Sequence, residues 1–131
     1  MNDFKEWKNL KEEQGFHEVN IYSIIDDKTV GAQDGLLGFS SFTKGGTHKP
    51  HIHKFAEEYM IITKGRGLVR AGDQEWEVKA GDIIYVPRNC VHSDIGLDDK
   101  EPYEGWFIYA GAPSLKKSGY VPMKNMWAKK T

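Results

Sequence analysis

One cysteine, Cys90, stands in 131 residues, which excludes a disulfide within the chain and suits a reducing compartment. No stretch approaches the roughly 18 consecutive apolar residues that a membrane-spanning helix needs. Neither sign of charge prevails. The formal net charge is −1, so no global field draws the chain to nucleic acid or to a membrane surface. The opening stretch, MNDFKEWKNLKEEQ, is charged throughout and lacks the apolar run of a signal peptide, so a cytoplasmic location is expected. No internal repeat, low-complexity segment or compositional break marks a second domain. A single domain over 1–131 is the expectation, long enough to bury a core without disulfides.

What is present points to strands. Fourteen glycines punctuate runs rich in Val, Ile, Tyr and Phe. Segments 18–25, 36–43, 59–63, 68–71, 76–78, 83–86 and 106–110 read as short strands. The pair Gly72-Asp73 is typical of a tight hairpin, and Pro87 stops the strand before it. Such a series reads as an antiparallel sandwich or barrel. Before it, Phe4, Trp7 and Leu10 recur at helical spacing between Asp3 and Gly15, which predicts a short amphipathic helix over 3–13. After it, the tail 111–131 interleaves Lys116, Lys117, Lys124, Lys129 and Lys130 with Tyr120, Met123, Met126 and Trp127. It reads either as a flap or dimer contact, or as a segment packed along the outside with its lysines in solvent. The second reading is preferred, because termini usually lie at the surface.

Two stretches, Gly45–Gly65 and Gly81–Gly96, concentrate the residues that carry chemistry. Imidazole nitrogen and carboxylate oxygen are ligands that divalent first-row metals accept, and the two stretches supply His51, His53, Glu58 and His92. Histidines two apart on a strand point to one face, so His51 and His53 are placed to grip one ion. Glu58 and His92 would complete the set. His48 stands at the wrong parity for the pair and reads as a loop residue, and His17 reads as structural. Cys90 reads as a buried thiol rather than a soft ligand.

These stretches resemble the paired signature motifs of the cupin superfamily. The first motif runs glycine, five residues, His-x-His, three or four residues, Glu, six residues, Gly. Here Gly45, His51, His53, Glu58 and Gly65 stand at those places. The second runs glycine, five residues, Pro-x-Gly, two residues, His, three residues, Asn. Gly81, Pro87 and His92 match it, with Asn89 for the second glycine and Gly96 for the asparagine. Asn tolerates the left-handed backbone region, so Asn89 suits the turn. Glu57 competes with Glu58 as the acid. Glu58 keeps the six-residue gap to Gly65, and a one-residue slip would send the acid to the other face, so Glu58 is preferred.

The resemblance implies an all-β, antiparallel jelly-roll barrel of six to eight strands, with the short helix in front. The metal-binding core would span about 36–110 and the tail 111–131. It also implies one divalent transition metal ion (iron, manganese, zinc, nickel or copper), a small-molecule substrate or ligand, and a homodimer, which would cover edge strands at the barrel rim. Alternate residues on barrel strands point inward, and Met60, Ile62, Arg66, Trp106 and Tyr109 are the candidates for the substrate pocket. Three imidazoles and one carboxylate leave a divalent ion with positive charge. An octahedral ion would keep two positions for a molecule chelating through two oxygens. The activity expected is that of an enzyme on a small oxygen-rich molecule, either a dioxygenase or a lyase, isomerase or cyclase. The alternative is a non-catalytic barrel that binds or senses a small ligand. No DNA-binding helix pair is attached, which weighs against a direct transcriptional role.

Overall fold

The structure, a computed structural model, describes residues 5–7 and 12–123. Among these residues, ten strands form one antiparallel sheet. They are β1 (Lys5–Glu6), β2 (Phe16–Ile25), β3 (Gly35–His53), β4 (Glu57–Lys64), β5 (Arg66–Ala71), β6 (Gln74–Lys79), β7 (Ile83–Val86), β8 (His92–Gly96), β9 (Tyr103–Ala110) and β10 (Tyr120–Pro122). The main path runs β6-β5-β8-β3-β9-β4-β7, with β2 and β10 also on β3, and β1 on β2. The sheet curls so that its two end strands, β6 and β7, are joined by residues 80–82 alone, and that link carries on the pairing of β7 with β4. Gly81 N–H donates to Ile62 O at 2.8 Å, and Ile62 N–H to Asp82 O at 2.9 Å. This is the expected all-β jelly roll, and the short terminal strands β1 and β10 account for a count above the expected eight.

Alternation makes the barrel. On β9, Tyr103, Phe107 and Tyr109 turn inward while Trp106 and Ile108 turn outward. On β4, Glu58, Met60 and Ile62 turn inward. The inward side chains join Phe16, Ile21, Leu36, Phe42, Val69 and Val86 in one continuous core. Turns hold the register. Asn89 adopts φ 63° and Gly65 φ 76°, the left-handed region that L side chains rarely occupy. A Cβ on Gly65 would also meet the Pro102 carbonyl oxygen at 2.2 Å, so the turn ahead of β5 tolerates no side chain.

The longest strand, β3, has two halves. Gly35–Phe42 pairs without interruption with Tyr103–Ala110. Beyond it the ladder with β8 pairs His48 with Asp94 and then His51 with His92, three steps on one strand against two on the other. This β-bulge resets the parity of the strand.

The N-terminal helix expected over 3–13 is corrected where the structure describes it. Lys5 and Glu6 lie in an extended strand, in register with Ser23 and Tyr22, and Glu12–Gln14 forms a single 3-10 turn. Pairing with β2 and the docking of Trp7 against Phe107, with ring centroids 5.9 Å apart, outweigh the helical spacing. Phe4 and Leu10 lie outside the described residues, as do Lys124, Met126, Trp127, Lys129 and Lys130. The described part of the tail packs along the sheet, where Tyr120–Pro122 pairs with His51–His53.

Candidate metal centre

His51 and His53 lie at the end of β3, Glu58 is the second residue of β4 and His92 opens β8. His51 and His92 face each other as register partners. One donor atom from each of the four side chains lies within 4.8 Å of all the others, and all four residues are buried. Four polar side chains together in an apolar core demand partners.

The imidazoles are oriented from behind. The His51 Nδ1–H donates to Lys49 O at 2.7 Å, and the His92 Nδ1–H donates to Cys90 O at 2.9 Å. A carbonyl only accepts, so both rings carry their hydrogen on Nδ1. For His53 the partner is the Ser118 hydroxyl, 2.9 Å from Nδ1. That hydroxyl already donates to Leu115 O at 2.6 Å, so it accepts from His53. Every Nε2 lone pair is thereby turned toward the cluster, the arrangement that ligating histidines show. His92 Nε2 lies 3.0 Å from Glu58 Oε1. His53 Nε2 lies 3.2 Å from the same oxygen, off the line of a hydrogen bond. Among the described residues it is the only buried side-chain nitrogen or oxygen without a hydrogen-bond partner. An ion ligated by Nε2 would satisfy it, so the residues present fit a metal.

Electrostatics agree. Burial alone would raise the Glu58 carboxyl, but the imidazoles of His53 and His92 outweigh it and hold the group well below the usual carboxylate range. Burial, reinforced by neighbouring imidazoles, keeps His51 neutral. Burial opposes charge on His92 too, yet Glu58 overcomes it and raises that imidazole. Without an ion, the carboxylate is the sole counter-charge in the cluster.

Beside the donors lies a narrow cavity of about 30 Å³, bounded by Ile21, Phe42, Met60, Phe107 and Tyr109 and by the polar groups of Ser40, His48 and Asp94. Met60 and Tyr109 thus stand where the pocket was expected. Ile62 and Trp106 border a smaller void of about 10 Å³ next to it. The Trp106 ring itself is on the outer face, edge-on to Phe39 at 5.1 Å. Three positions separate it from Tyr109, so a period of two cannot turn both inward. Arg66 also departs from the expectation. It points to solvent and pairs with Glu77 at 2.8 Å. Glu57 faces outward and accepts from the Tyr59 and Tyr85 hydroxyls at 2.6 and 3.1 Å, leaving Glu58 as the acid inside. Cys90 contributes its carbonyl to His92 and keeps its thiol out of the cluster.

Three residues complete the surroundings of the donors. His48, expected in a loop, stacks on His51 with ring centroids 3.8 Å apart, and its Nε2 lies 3.0 Å from the Tyr120 hydroxyl. Burial first, and then neighbouring imidazoles against the pull of Glu58, lower His48 to about 3. The β-bulge brings it inward, which parity alone forbade. Asp94 meets the Tyr103 hydroxyl at 3.1 Å, and burial with the nearby Glu58 charge pushes it up to about 7. Its spacing of two from His92 was a readable signal. Ser118 had none, since 65 positions separate it from His53.

Comparison with known proteins bears on this geometry. The family model for the cupin domain matches residues 38–105, just over half of the 131. Oxalate oxidase GF-3.8 of Triticum aestivum is 30% identical over 115 residues, covering 77% of this chain and 50% of that protein. Dimethylsulfoniopropionate lyase DddW of Ruegeria pomeroyi is 28% identical over 80 residues, covering 61% of this chain and 52% of that protein. The chain spans about half the length of these curated relatives. Among solved structures, the oxalate decarboxylase of Lactobacillus farciminis superposes with a TM-score of 0.74 at 20% identity, over 94% of this chain and 34% of that one. The polyketide cyclase RemF of Streptomyces resistomycificus superposes with a TM-score of 0.69 at 21% identity, over 82% and 74%. At such identities the structures attest the fold alone. The matched span reaches from β3 into β9 and includes all four inward-facing donors, and on it the chain belongs to the cupin family.

Proposed function

We propose that the chain is a metal-dependent enzyme acting on a small, oxygen-rich organic molecule. His51, His53 and His92 would hold one divalent transition metal ion through Nε2, and Glu58 through its carboxylate. The observation that carries this reading is the buried, unpartnered Nε2 of His53 amid three donors that point the same way. When bound, the ion supplies Lewis acidity, and a redox-active ion also supplies electron transfer.

The chain's own residues do the rest. Lys49 O, Cys90 O and the Ser118 hydroxyl fix the tautomers of the three imidazoles. Met60, Phe107 and Phe42 keep the interior dry, which strengthens every polar contact made there. Ser40 and Asp94 are placed to hydrogen-bond a hydroxyl of a bound molecule. Among the described residues, no Lys or Arg lines the cavity, so the ion is the only cation available to an acidic group. The lining sets apolar side chains beside Ser40, His48 and Asp94, a mixture that suits a small organic molecule carrying a few polar oxygens. Solved complexes of oxalate oxidase with glycolate and of oxalate decarboxylase with formate support that class. The relatives include an oxidase, a lyase and a cyclase, which supports both an oxidative and a non-oxidative reaction.

Elemental analysis of protein purified without chelators or an immobilised-metal column tests the first step, and one ion per chain is expected. Iron favours oxygen chemistry, and zinc favours a lyase, isomerase or cyclase. Turnover of a panel of hydroxy acids, diketones and uronates by the reconstituted protein tests the second. Binding without turnover across the panel assigns the barrel to the non-catalytic, ligand-sensing class. Protein that neither holds nor takes up an ion overturns the reading.

A further inference from the structure

Asp94 is a buried carboxyl group that its surroundings only half engage. Alternation along β8 puts it on the same wall as His92. Its register partners are His48 on β3 and Val69 on β5, and it is 6% accessible. It borders both the cavity beside the donors and the smaller void next to that. Among the described residues it has one hydrogen-bond partner, the Tyr103 hydroxyl, which donates to Oδ2 at 3.1 Å. Oδ1 receives no donor. It is not enclosed either, since His53 Nε2 is the only enclosed, unpartnered side-chain atom among those residues. Oδ1 therefore opens on the cavity.

A carboxyl group that serves the fold looks different, and Asp26 shows how. It is buried to a similar degree, at 9%. Its oxygens accept from the Ser23 hydroxyl and from the backbone N–H groups of Lys28 and Thr29. Tyr103 needs only one acceptor, and a neutral side chain supplies that without burying a carboxyl group. Support of Tyr103 thus accounts for one oxygen of Asp94 and leaves the other over.

The rest of the lining decides what that oxygen can receive. The Tyr120 hydroxyl donates to Gln14 O at 2.5 Å, so it accepts from His48 Nε2 at 3.0 Å. That leaves His48 Nδ1 an acceptor as well. No Lys or Arg stands among the described lining residues. A hydroxyl group brings a proton to this end of the cavity. A carboxylate brings none and sets two carboxyl groups side by side.

We propose that Asp94 is the specificity-determining residue of the cavity: its open oxygen takes a hydroxyl group of the bound molecule and turns away a second carboxylate. The ligand class is a short hydroxy acid or hydroxyketone that carries a further hydroxyl, and dicarboxylates are excluded. Two strand steps, about 7 Å, separate the backbone positions of His92 and Asp94. A chain of a few carbons, held by the ion at one end, reaches Asp94 with the other. The inference rests on the metal reading, because the ion holds the first end.

The cobalt-loaded full chain and three acids with one shared chelating group test it. Lactate, glycerate and hydroxymalonate are all three-carbon 2-hydroxy acids, ending in a methyl, a hydroxymethyl and a carboxylate. The change each causes in the cobalt absorption spectrum gives its dissociation constant, so binding is read rather than turnover. Glycerate is expected to bind about tenfold tighter than lactate and at least about 100-fold tighter than hydroxymalonate. Asp94→Asn keeps the shape and an acceptor for Tyr103. It should bring hydroxymalonate to within about tenfold of glycerate, a gain in binding that lost support for Tyr103 would not produce. Tyr103→Phe should keep the wild-type order. Circular dichroism verifies the fold of each variant, and the wild-type order is a test that needs no variant. Wild type that takes up no cobalt overturns the metal reading and this inference with it. With cobalt bound, three results overturn this inference alone: hydroxymalonate as tight as glycerate, glycerate no tighter than lactate, or none of the three binding. An Asp94→Asn variant that keeps the wild-type ratios does the same.

Discussion

The inner and outer walls of β3, β9, β4 and β7 break opposite rules on the same strands. Inside, where apolar side chains belong, the wall presents Glu58 with His51, His53 and His92 beside it. Outside, where polar side chains belong, it presents Phe39, Trp106, Ile61 and Ile83. Buried polar groups and exposed apolar rows are the informative departures from ordinary burial. The inner departure is the one proposed to hold an ion, which would satisfy the lone pairs gathered there. A single period of two carries both, because neighbouring residues on one strand serve different walls.

Neighbouring pairs offer the sharpest ways to break that comparison. Glu57 and Glu58 differ by one position and by the wall they face. Glu58→Ala is expected to abolish ion binding, and Glu57→Ala to leave it intact, as read by cobalt titration and its absorption spectrum. The reverse result would move the site to the outer wall. Added ion should also raise the melting temperature of wild type, by about 2.7 kcal/mol of stability at a hundredfold excess over Kd, and do nothing for Glu58→Ala.

Next in size is the pair on β7. Ile84 is 7% accessible and Ile83 74%. Ile84→Ala should cost about 2–5 kcal/mol through the cavity it leaves. Ile83→Ser should stay within about 0.5 kcal/mol, as read by urea denaturation. Equal losses would mean that the outer row is packed within one chain.

Ser118→Ala isolates the support behind one donor. Losing the acceptor for His53 Nδ1–H should weaken the ion about tenfold, with Ser118→Thr restoring it and circular dichroism unchanged in both. The smallest effect belongs to a turn away from both walls. Asp26 accepts from the Ser23 hydroxyl at 2.5 Å and from the backbone N–H of Lys28 and Thr29 at 2.8 and 2.7 Å. Burial would raise its carboxyl, but these donors outweigh burial and hold it below its ordinary 3.8. A depressed folded-state pKa stabilises above the unfolded value, and the contribution fades as pH falls through the folded one. Asp26→Asn should therefore cost about 1 kcal/mol at pH 6. The difference from wild type should shrink as the pH drops below about 3.8.

Much of this was legible from the chain wherever the ladder is regular. Glycine punctuation and alternation located β4, β5, β7 and β9, and parity with the gap to Gly65 chose Glu58 over Glu57. Parity misplaced His48 because a bulge between it and His51 adds a residue that no local pattern announces. Helical spacing misread the segment around Trp7, where pairing with β2 prevails over a weak local preference. Arg66 was offered to the pocket on chemistry alone, and its outward place follows from the hairpin partner Glu77.

By itself the sequence determined the class of fold, the inward place of Glu58 and the four candidate donors, because these depend on short-range spacing along single strands. Only the tertiary structure decided that four donors meet, that Ser118 stands behind His53, and that Phe39, Trp106, Ile61 and Ile83 align on the outer wall. Those facts depend on register between strands far apart in the chain. Register is set by the bulge on β3 and the closure of the whole sheet, which no single segment encodes.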